Sequence, residues 1–509
     1  MSLNLCDAVA TEHFDVLIIG AGLSGIGAGC HLQARCPGRS YLILEARDRI
    51  GGTWDLFRYP GVRADSDMFT LGYSFRPWEG AKAIADGPSI LQYIQDTARE
   101  YGIDRRIRFG HRVMRASWST QDAQWTVEAE RGSESELVRF TCDFLLACGG
   151  YYSYSEGYTP EFPGVQRFAG RIAHPQRWTE EIGYAGKRVV VIGSGATAVT
   201  LVPELAKTAA HVTMLQRSPS YVVARPAEDA MANRLRRYLP SMLVHQAMRW
   251  KRVLLGMYFF DLCRRNPARA KRLLLGGVRL ALGPGYDVYK HFTPRYNAWD
   301  QRLCLVPDGD LFRAIRSGRA SVVTDQIETF TEKGLKLKSG AELEADLIVT
   351  ATGLNLRVLS GVQLTVNGER VDLAKTLTYK GMMFSGVPNL ASTFGYTNAS
   401  WTLKCDLTCE YVCRLLNYMR RRGLRQCTPR NADPTLTEQP WVDFSSGYFQ
   451  RSLHLLPKQG SRAPWKLHQN YVRDILLLRF GRLRDGVMEF SNPGPSLPPG
   501  RALIENLST

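Results

Sequence analysis

The stretch Phe14-Asp-Val-Leu-Ile-Ile19-Gly20-Ala-Gly22-Leu-Ser-Gly25 reads as a short apolar strand that runs into a glycine-rich turn and then a helix. Gly20 suits a tight exit from the strand, and Gly22 leaves the backbone open to a pyrophosphate. Gly25 lets the helix lie close to the sheet, and the free N–H groups at the helix start favour negative charge. The helix is expected over Ile26–Arg35, ended by Pro37-Gly38, with a second strand at Tyr41–Leu44. Glu45 then stands twenty residues beyond Gly25, where a carboxylate can accept hydrogen bonds from both ribose hydroxyls of a dinucleotide. A G-x-G-x-x-G alone is weak evidence; strand, helix and acid in the right order make it a nucleotide site.

The same pattern returns at Val189-Val-Val-Ile192-Gly193-Ser-Gly195-Ala-Thr-Ala198. Ala198 is small enough for helix and sheet to pack closely. The next strand, His211–Gln216, ends in Arg217-Ser218 rather than in an acid. A carboxylate there would repel a 2′-phosphate, whereas Arg217 can pair with it through two N–H groups, so this site is read as NADPH-binding. The first site is read as FAD-binding. Gly51-Gly52-Thr53-Trp54 follows its ribose carboxylate, and paired glycines keep backbone close to a flat, bulky ring. Together the two sites provide a hydride path from NADPH to flavin.

The chain has 509 residues, enough for two or three domains. No stretch approaches the eighteen or more apolar residues of a membrane span, and Asp7 and Glu12 do not suit an export signal. Eleven cysteines, without C-x-x-C spacing, fit the reduced thiols of a cytoplasm. They also offer no dithiol to receive electrons from the flavin, which leaves oxygen as the acceptor. Cys405, Cys409 and Cys413 share one helical face and read as core. The formal charge of +17 is concentrated between Arg225 and Leu280, where thirteen Lys and Arg face three Asp and Glu. That stretch is read as a solvated basic helical face, with peripheral contact to the inner face of a membrane as the alternative; no nucleic-acid module accompanies it. Trp250, Tyr258, Phe259 and Phe260 within it either line a lipophilic pocket or pack as a helical core.

The expected architecture is α/β, with two Rossmann-like dinucleotide-binding domains, for FAD and NADP, and a helical insertion. The FAD part comprises residues 1–154 and 354–509, the latter including a C-terminal tail. The NADP part comprises 155–222 and 307–353, and 223–306 form the insertion. Alternating segments at Val113–Trp118 and Gln124–Ala129 predict a small antiparallel sheet, Gly51 to Pro77 a loop, and the residues after Ser491 a loosely held tail.

Between the two nucleotide motifs lies Phe168-Ala-Gly170-Arg-Ile-Ala-His174-Pro-Gln-Arg-Trp178, an F-x-G-x-x-x-H-x-x-x-W pattern. With Gly51-Gly52-x-Trp54, Tyr59-Pro60-Gly61 and Asp65, it resembles the paired signatures of type I Baeyer–Villiger monooxygenases over nearly the whole chain. The likeness is greatest to the ethionamide-type subgroup. It implies oxidation of ketones to esters or lactones with NADPH and O2, and sulfoxidation of thioethers or thioamides as a second activity. By position, Arg302 resembles the family's catalytic arginine, Asp65 the acid that orients it, His174 the linker histidine that couples domain movement to catalysis, Ser218 a second phosphate contact, and Gly353 part of the turn between the nucleotide domains. The chain departs from the pattern at Thr179 and at Gln301. Many members carry Lys where Gln301 stands, which leaves more of the 2′-phosphate recognition to Arg217. The competing readings are an oxygenase of the same fold that acts on nitrogen or sulfur but not ketones, and a membrane-surface protein that holds flavin passively. The native substrate and the oligomeric state are not legible.

Overall fold

A computed structural model describes residues 11–493. The first unit begins with β1 (Glu12–Ile19), α1 (Leu23–Arg35) and β2 (Tyr41–Leu44), followed by β3 (His111–Ser119), β4 (Gln124–Arg131) and β5 (Glu136–Ala147). The second contains β6 (Arg171–Ala173), β7 (Arg188–Ile192), α2 (Ala196–Leu205) and β8 (His211–Gln216). Two long helices follow, α3 (Ser241–Arg265) and α4 (Pro267–Leu282), then β9 (Ala320–Thr324) and β10 (Leu347–Thr350). The chain closes with β11 (Leu390–Ser392) and α5 (Trp401–Arg422).

In the first unit β1 lies between β2 and β5, parallel to both, with Ile19 level with Leu44 and Ala147. The three carboxyl ends therefore deliver Gly20, Glu45 and Gly149 to one edge, where ligands bind in open parallel sheets. The second unit is a five-stranded sheet in the order β9-β8-β7-β10-β6, parallel throughout. Ile192 there pairs with Leu215 and Thr350, which brings Gly193, Arg217 and Ala351 together in the same way. The architecture is two Rossmann-like sheets with helices, as the two glycine motifs predict.

Several local outcomes differ from expectation. α1 starts at Leu23 rather than Ile26, because Gly22 already has extended backbone and serves as the N-cap. The antiparallel pair β3–β4 forms, but β5 pairs with β4 along one half and with β1 and β11 along the other. It is thus part of a nine-stranded mixed sheet rather than a separate small one. The stretch from Gly51 to Pro77 contains two short helices, Thr53–Leu56 and Met68–Leu71. The second is capped by Asp67, whose carboxylate accepts the Thr70 N–H at 3.1 Å. The tail expected after Ser491 falls, from residue 494 on, outside the described residues, as does Asp7.

α3 and α4 break where Asn266 and Pro267 say they must. Pro267 cannot donate an N–H and sits at the first position of α4, while the Asn266 side chain accepts from the Arg269 N–H at 3.3 Å. α3 turns charged and polar residues inward. His245 bonds the Tyr73 carbonyl at 3.1 Å, and Arg249 donates to the Phe69 and Gly72 carbonyls at 3.0 and 2.7 Å. Arg249 also reaches Asp406 of α5 at 3.3 Å, and the same carboxylate takes His31 of α1 at 3.2 Å and the Ser74 N–H at 3.0 Å. This buried cluster fastens the insertion to both helices of the first unit. Cys405, Cys409 and Cys413 are buried in α5. No helix among the described residues is long and apolar enough to cross a membrane.

Burial, helped by the charge of Arg249, pushes the His245 imidazole from 6.5 down to about 4. The folded protein therefore holds His245 neutral. Its stabilising share is complete above 6.5 and is lost as the pH falls toward 4, where the unfolded chain takes up the proton first. The loss should be on the order of 3 kcal/mol across that window. Urea unfolding at several pH values should show this slope, and His245→Gln should flatten it; an unchanged slope in the variant would refute the assignment.

Candidate active site

The carboxyl edge of the first sheet opens into a cavity of about 570 Å³. Gly20 has φ +98°, and a Cβ there would stand 2.9 Å from the Gly149 backbone, so the turn tolerates only glycine. Gly25 allows the equally close approach of α1, since its Cβ would stand 1.9 Å from the Gly20 carbonyl oxygen. Gly22 and Gly52 face each other across the opening, with a Gly52 Cβ 3.1 Å from Gly22 Cα. α1 has neither a side-chain cap nor an acid in its first turn, so its leading N–H groups are left for an anion. Thr53 and Trp54 line the same cavity. These residues form a cradle suited to a dinucleotide pyrophosphate.

Glu45 is buried at the head of this cavity. Its two oxygens accept the Ala21 N–H at 2.7 Å and the Arg47 N–H at 2.9 Å. Burial raises its carboxyl above the ordinary 4.5, against the pull of those two donors. Each oxygen keeps a further lone pair for a ribose hydroxyl.

Further along the cavity stand Asp65 and Arg302, joined by a short ion pair across 237 residues of chain. The negative charge of Asp65 holds the guanidinium pKa well above its usual value and outweighs the opposing effect of burial. Arg302 leads into the strand Cys304–Pro307, which pairs with Val222–Arg225. The Cys304 thiol meets the Ser194 carbonyl at 3.7 Å, so the segment carrying Arg302 is fastened to the second glycine turn. On the other side of the pair lies a second cavity of about 510 Å³, largely apolar, to which Val253, Met257 and Phe259 of α3 contribute. Asp65 and Arg302 line both cavities.

The second glycine turn lies at the carboxyl edge of the second sheet. Gly193 has φ +134°, and its Cβ would stand 2.4 Å from the Ala351 carbonyl oxygen. Gly195 is the uncapped start of α2, and Ala198 is buried beneath it. Arg217 and Ser218 are exposed beside this turn, and the Ser218 carbonyl accepts the Ser194 hydroxyl at 3.0 Å. Neither borders the first cavity, whereas Ala196 and Thr197 at the start of α2 do.

The linker residues occupy the crossing between the units. His174 accepts the Gln176 N–H at Nδ1 and donates from Nε2 to the Gly353 carbonyl at 3.3 Å. Its ring lies against Gly157, where a Cβ would fall 1.9 Å from Cε1. Burial lowers its pKa from 6.5, which favours the neutral ring this bonding requires. Phe168 packs edge-on to Phe330, Gly170 leaves room for the Phe168 ring, and Trp178 packs on Tyr184. Phe168 and Trp178 thus meet other aromatic rings, while His174, Gln176 and Arg177 make the linker's hydrogen bonds, the last two to the Ser153 and Ser155 carbonyls.

Three aromatic residues of the first cavity escaped the sequence reading. Tyr151 stacks on Trp401 with ring centres 4.9 Å apart, and its hydroxyl meets that of Tyr152 at 2.8 Å. All three line the first cavity. The available signal was the Gly149-Gly150-Tyr-Tyr run just past the end of β5. Of the insertion aromatics, Phe259 borders the second cavity and Phe260 packs on Trp299. Tyr258 does neither and is 69 % exposed.

Gly22→Val should leave the fold intact and place two methyl groups in the cradle. The purified variant should then lack flavin absorbance while keeping its circular dichroism; full flavin content would exclude this cavity as the flavin site.

The flavin-binding monooxygenase-like family matches residues 82–252, and an NAD(P)-binding Rossmann-like domain matches residues 18–79. The FAD-containing monooxygenase EthA of Mycobacterium tuberculosis is 55% identical over 95% of this chain and 99% of its own length. EthA of Mycolicibacterium smegmatis is 54% identical over 94% and 98%. Among solved structures, an oxidized steroid monooxygenase bound to NADP superposes with a TM-score of 0.74 at 21% identity, covering 94% of this chain and 100% of that one. The open form of cyclohexanone monooxygenase gives 0.68 at 22% identity, over 82% and 90%. These structures share the fold, and the sequence relatives share the family. With its cradle for a flavin dinucleotide, the chain belongs to the FAD-containing monooxygenases of the EthA type.

Proposed function

We propose that the protein uses NADPH and O2 to insert oxygen beside the carbonyl of a ketone, giving an ester or lactone, and that it also oxygenates thioether or thioamide sulfur. The observation that carries this reading is that the Arg302–Asp65 pair lines both cavities, one suited to a flavin and the other mostly apolar in surface but bordered by Asp67, Glu228, Asp229 and Arg252. Gly20, Gly22, Gly25, Glu45 and Gly52 would hold FAD; Gly193, Gly195, Arg217 and Ser218 would hold NADPH. Bound there, FAD supplies oxygen activated with electrons from NADPH.

The protein's own share is electrostatic. As a ketone carbonyl is attacked, negative charge gathers on its oxygen, and a guanidinium already in place stabilises it without reorganisation. Asp65 balances the charge of Arg302 and fixes its guanidinium through Nη1. The apolar walls contributed by Val253, Met257 and Phe259 keep water from the reacting atoms. His174, bonded to Gly353, would transmit movement of the NADP part to this site. An oxygenase confined to nitrogen or sulfur has less need of a fixed cation at the boundary of the two cavities, because no oxyanion forms on its substrate.

Arg302→Ala should retain flavin reduction by NADPH and lose ester formation by about 100- to 1,000-fold. Product analysis with a simple methyl ketone tests this, and normal turnover by the variant would refute it. Arg217→Ala should raise KM for NADPH far more than for NADH; equal effects would remove Arg217 from the 2′-phosphate site.

A further inference from the structure

α3 buries one face and leaves an apolar stripe on the other. Its inward face buries His245 and Arg249 beside Val244, Met248 and Val253. Leu243, Ala247, Trp250, Leu254 and Tyr258, spaced by three and four residues, form one stripe along the outward face. Leu243 is 60 % exposed, Leu254 55 % and Tyr258 69 %, and Trp250 is partly covered by Tyr471. A surface helix ordinarily presents charged and polar residues on its outward face. Tyr238 and Leu239 just before α3, and Leu273 and Leu280 on α4, are exposed as well.

The charge around this stripe is uncompensated. Arg249, Arg252, Arg264 and Arg265 are paired with carboxylates. Arg234 and Arg237 before α3, and Arg269, Arg272 and Arg279 on α4, are exposed and make no ion pair among the described residues.

We propose that this outward face of α3 docks on the surface of an anionic lipid bilayer. Leucines would enter the acyl boundary, Trp250 and Tyr258 would sit at headgroup level with their polar tips outward, and the free arginines would meet lipid phosphates. A second copy of the chain fits less well. Two such faces would set arginines against arginines, whereas anionic lipid neutralises them. The inner side of the same helix contributes Val253 and Met257 to the apolar cavity beside Arg302, so docking would set one wall of that cavity on the lipid. The docking does not depend on the reaction assigned above, and its test reads binding rather than turnover.

The flavin-loaded wild-type protein should be sedimented with vesicles of phosphatidylcholine, alone or mixed with phosphatidylglycerol. Wild type should pellet with the mixed vesicles, be released by high salt, and ignore phosphatidylcholine alone. Leu254→Glu with Tyr258→Glu, and separately Arg269→Glu with Arg272→Glu, should each weaken binding by about tenfold or more while NADPH oxidation and thermal unfolding stay as in wild type. Absence of wild-type binding, binding indifferent to phosphatidylglycerol, or binding as tight as wild type by both variants would overturn the proposal. So would a lipid-free dimer in sedimentation equilibrium that the Leu254/Tyr258 variant abolishes, since the face would then belong to a second copy.

Discussion

A guanidinium held at the boundary between two cavities is the constraint that gives the rest of this molecule its purpose. A cation in such a place is costly unless a carboxylate accompanies it, and Asp65 does so from the loop that follows the flavin cradle. The partner also prevents the arginine from searching for another. Its N–H groups stay aimed at one region, which is what electrostatic stabilisation of a transient oxyanion needs. Tyr151 and Tyr152 crowd the same guanidinium, and their stack on Trp401 walls one side of the cavity.

Two sheets that meet their ligands at carboxyl edges must be joined so that those edges face a common centre. The joints here are several and polar. Cys304 lies against the second glycine turn, Gln176 donates to the Ser153 carbonyl, and Arg63 pairs with Asp310. The insertion is held separately. Asp406 gathers His31, Arg249 and the Ser74 N–H in a buried cluster, with Arg249 further bound to two backbone carbonyls. Breaking any member would strand a charge in the interior, so α3 is fixed relative to α1 and α5.

That fixation leaves the insertion with two kinds of exposed surface, unpaired arginines and an apolar stripe. With His245 and Arg249 turned inward on the first unit, the helix presents the Leu243–Tyr258 stripe outward, followed by the exposed Asp261, Arg264 and Arg265. Charge composition registered the arginines between Arg225 and Leu280. It carried no information on which of them are consumed by carboxylates and which remain free.

The sequence by itself determined the two nucleotide units, because strand, glycine turn and helix are set by neighbours a few residues apart. The φ of Gly20 and the capping of α1 by Gly22 are local facts, as is the break at Asn266-Pro267. Family membership was legible for the same reason: its signatures are contiguous, from Gly51 to Asp65 and from Phe168 to Trp178. The fusion of β3 and β4 into a nine-stranded sheet was not, since it depends on β5 pairing with different strands along its two halves. Nor could residue patterns alone bring Arg302 to Asp65, 237 positions away, or Tyr151 to Trp401; only the resemblance suggested the first, and nothing suggested the second. The orientation of α3 was decided by tertiary structure, because periodicity shows that a helix has two faces but the partners that bury one of them, Tyr73, Phe69 and Asp406, lie far along the chain.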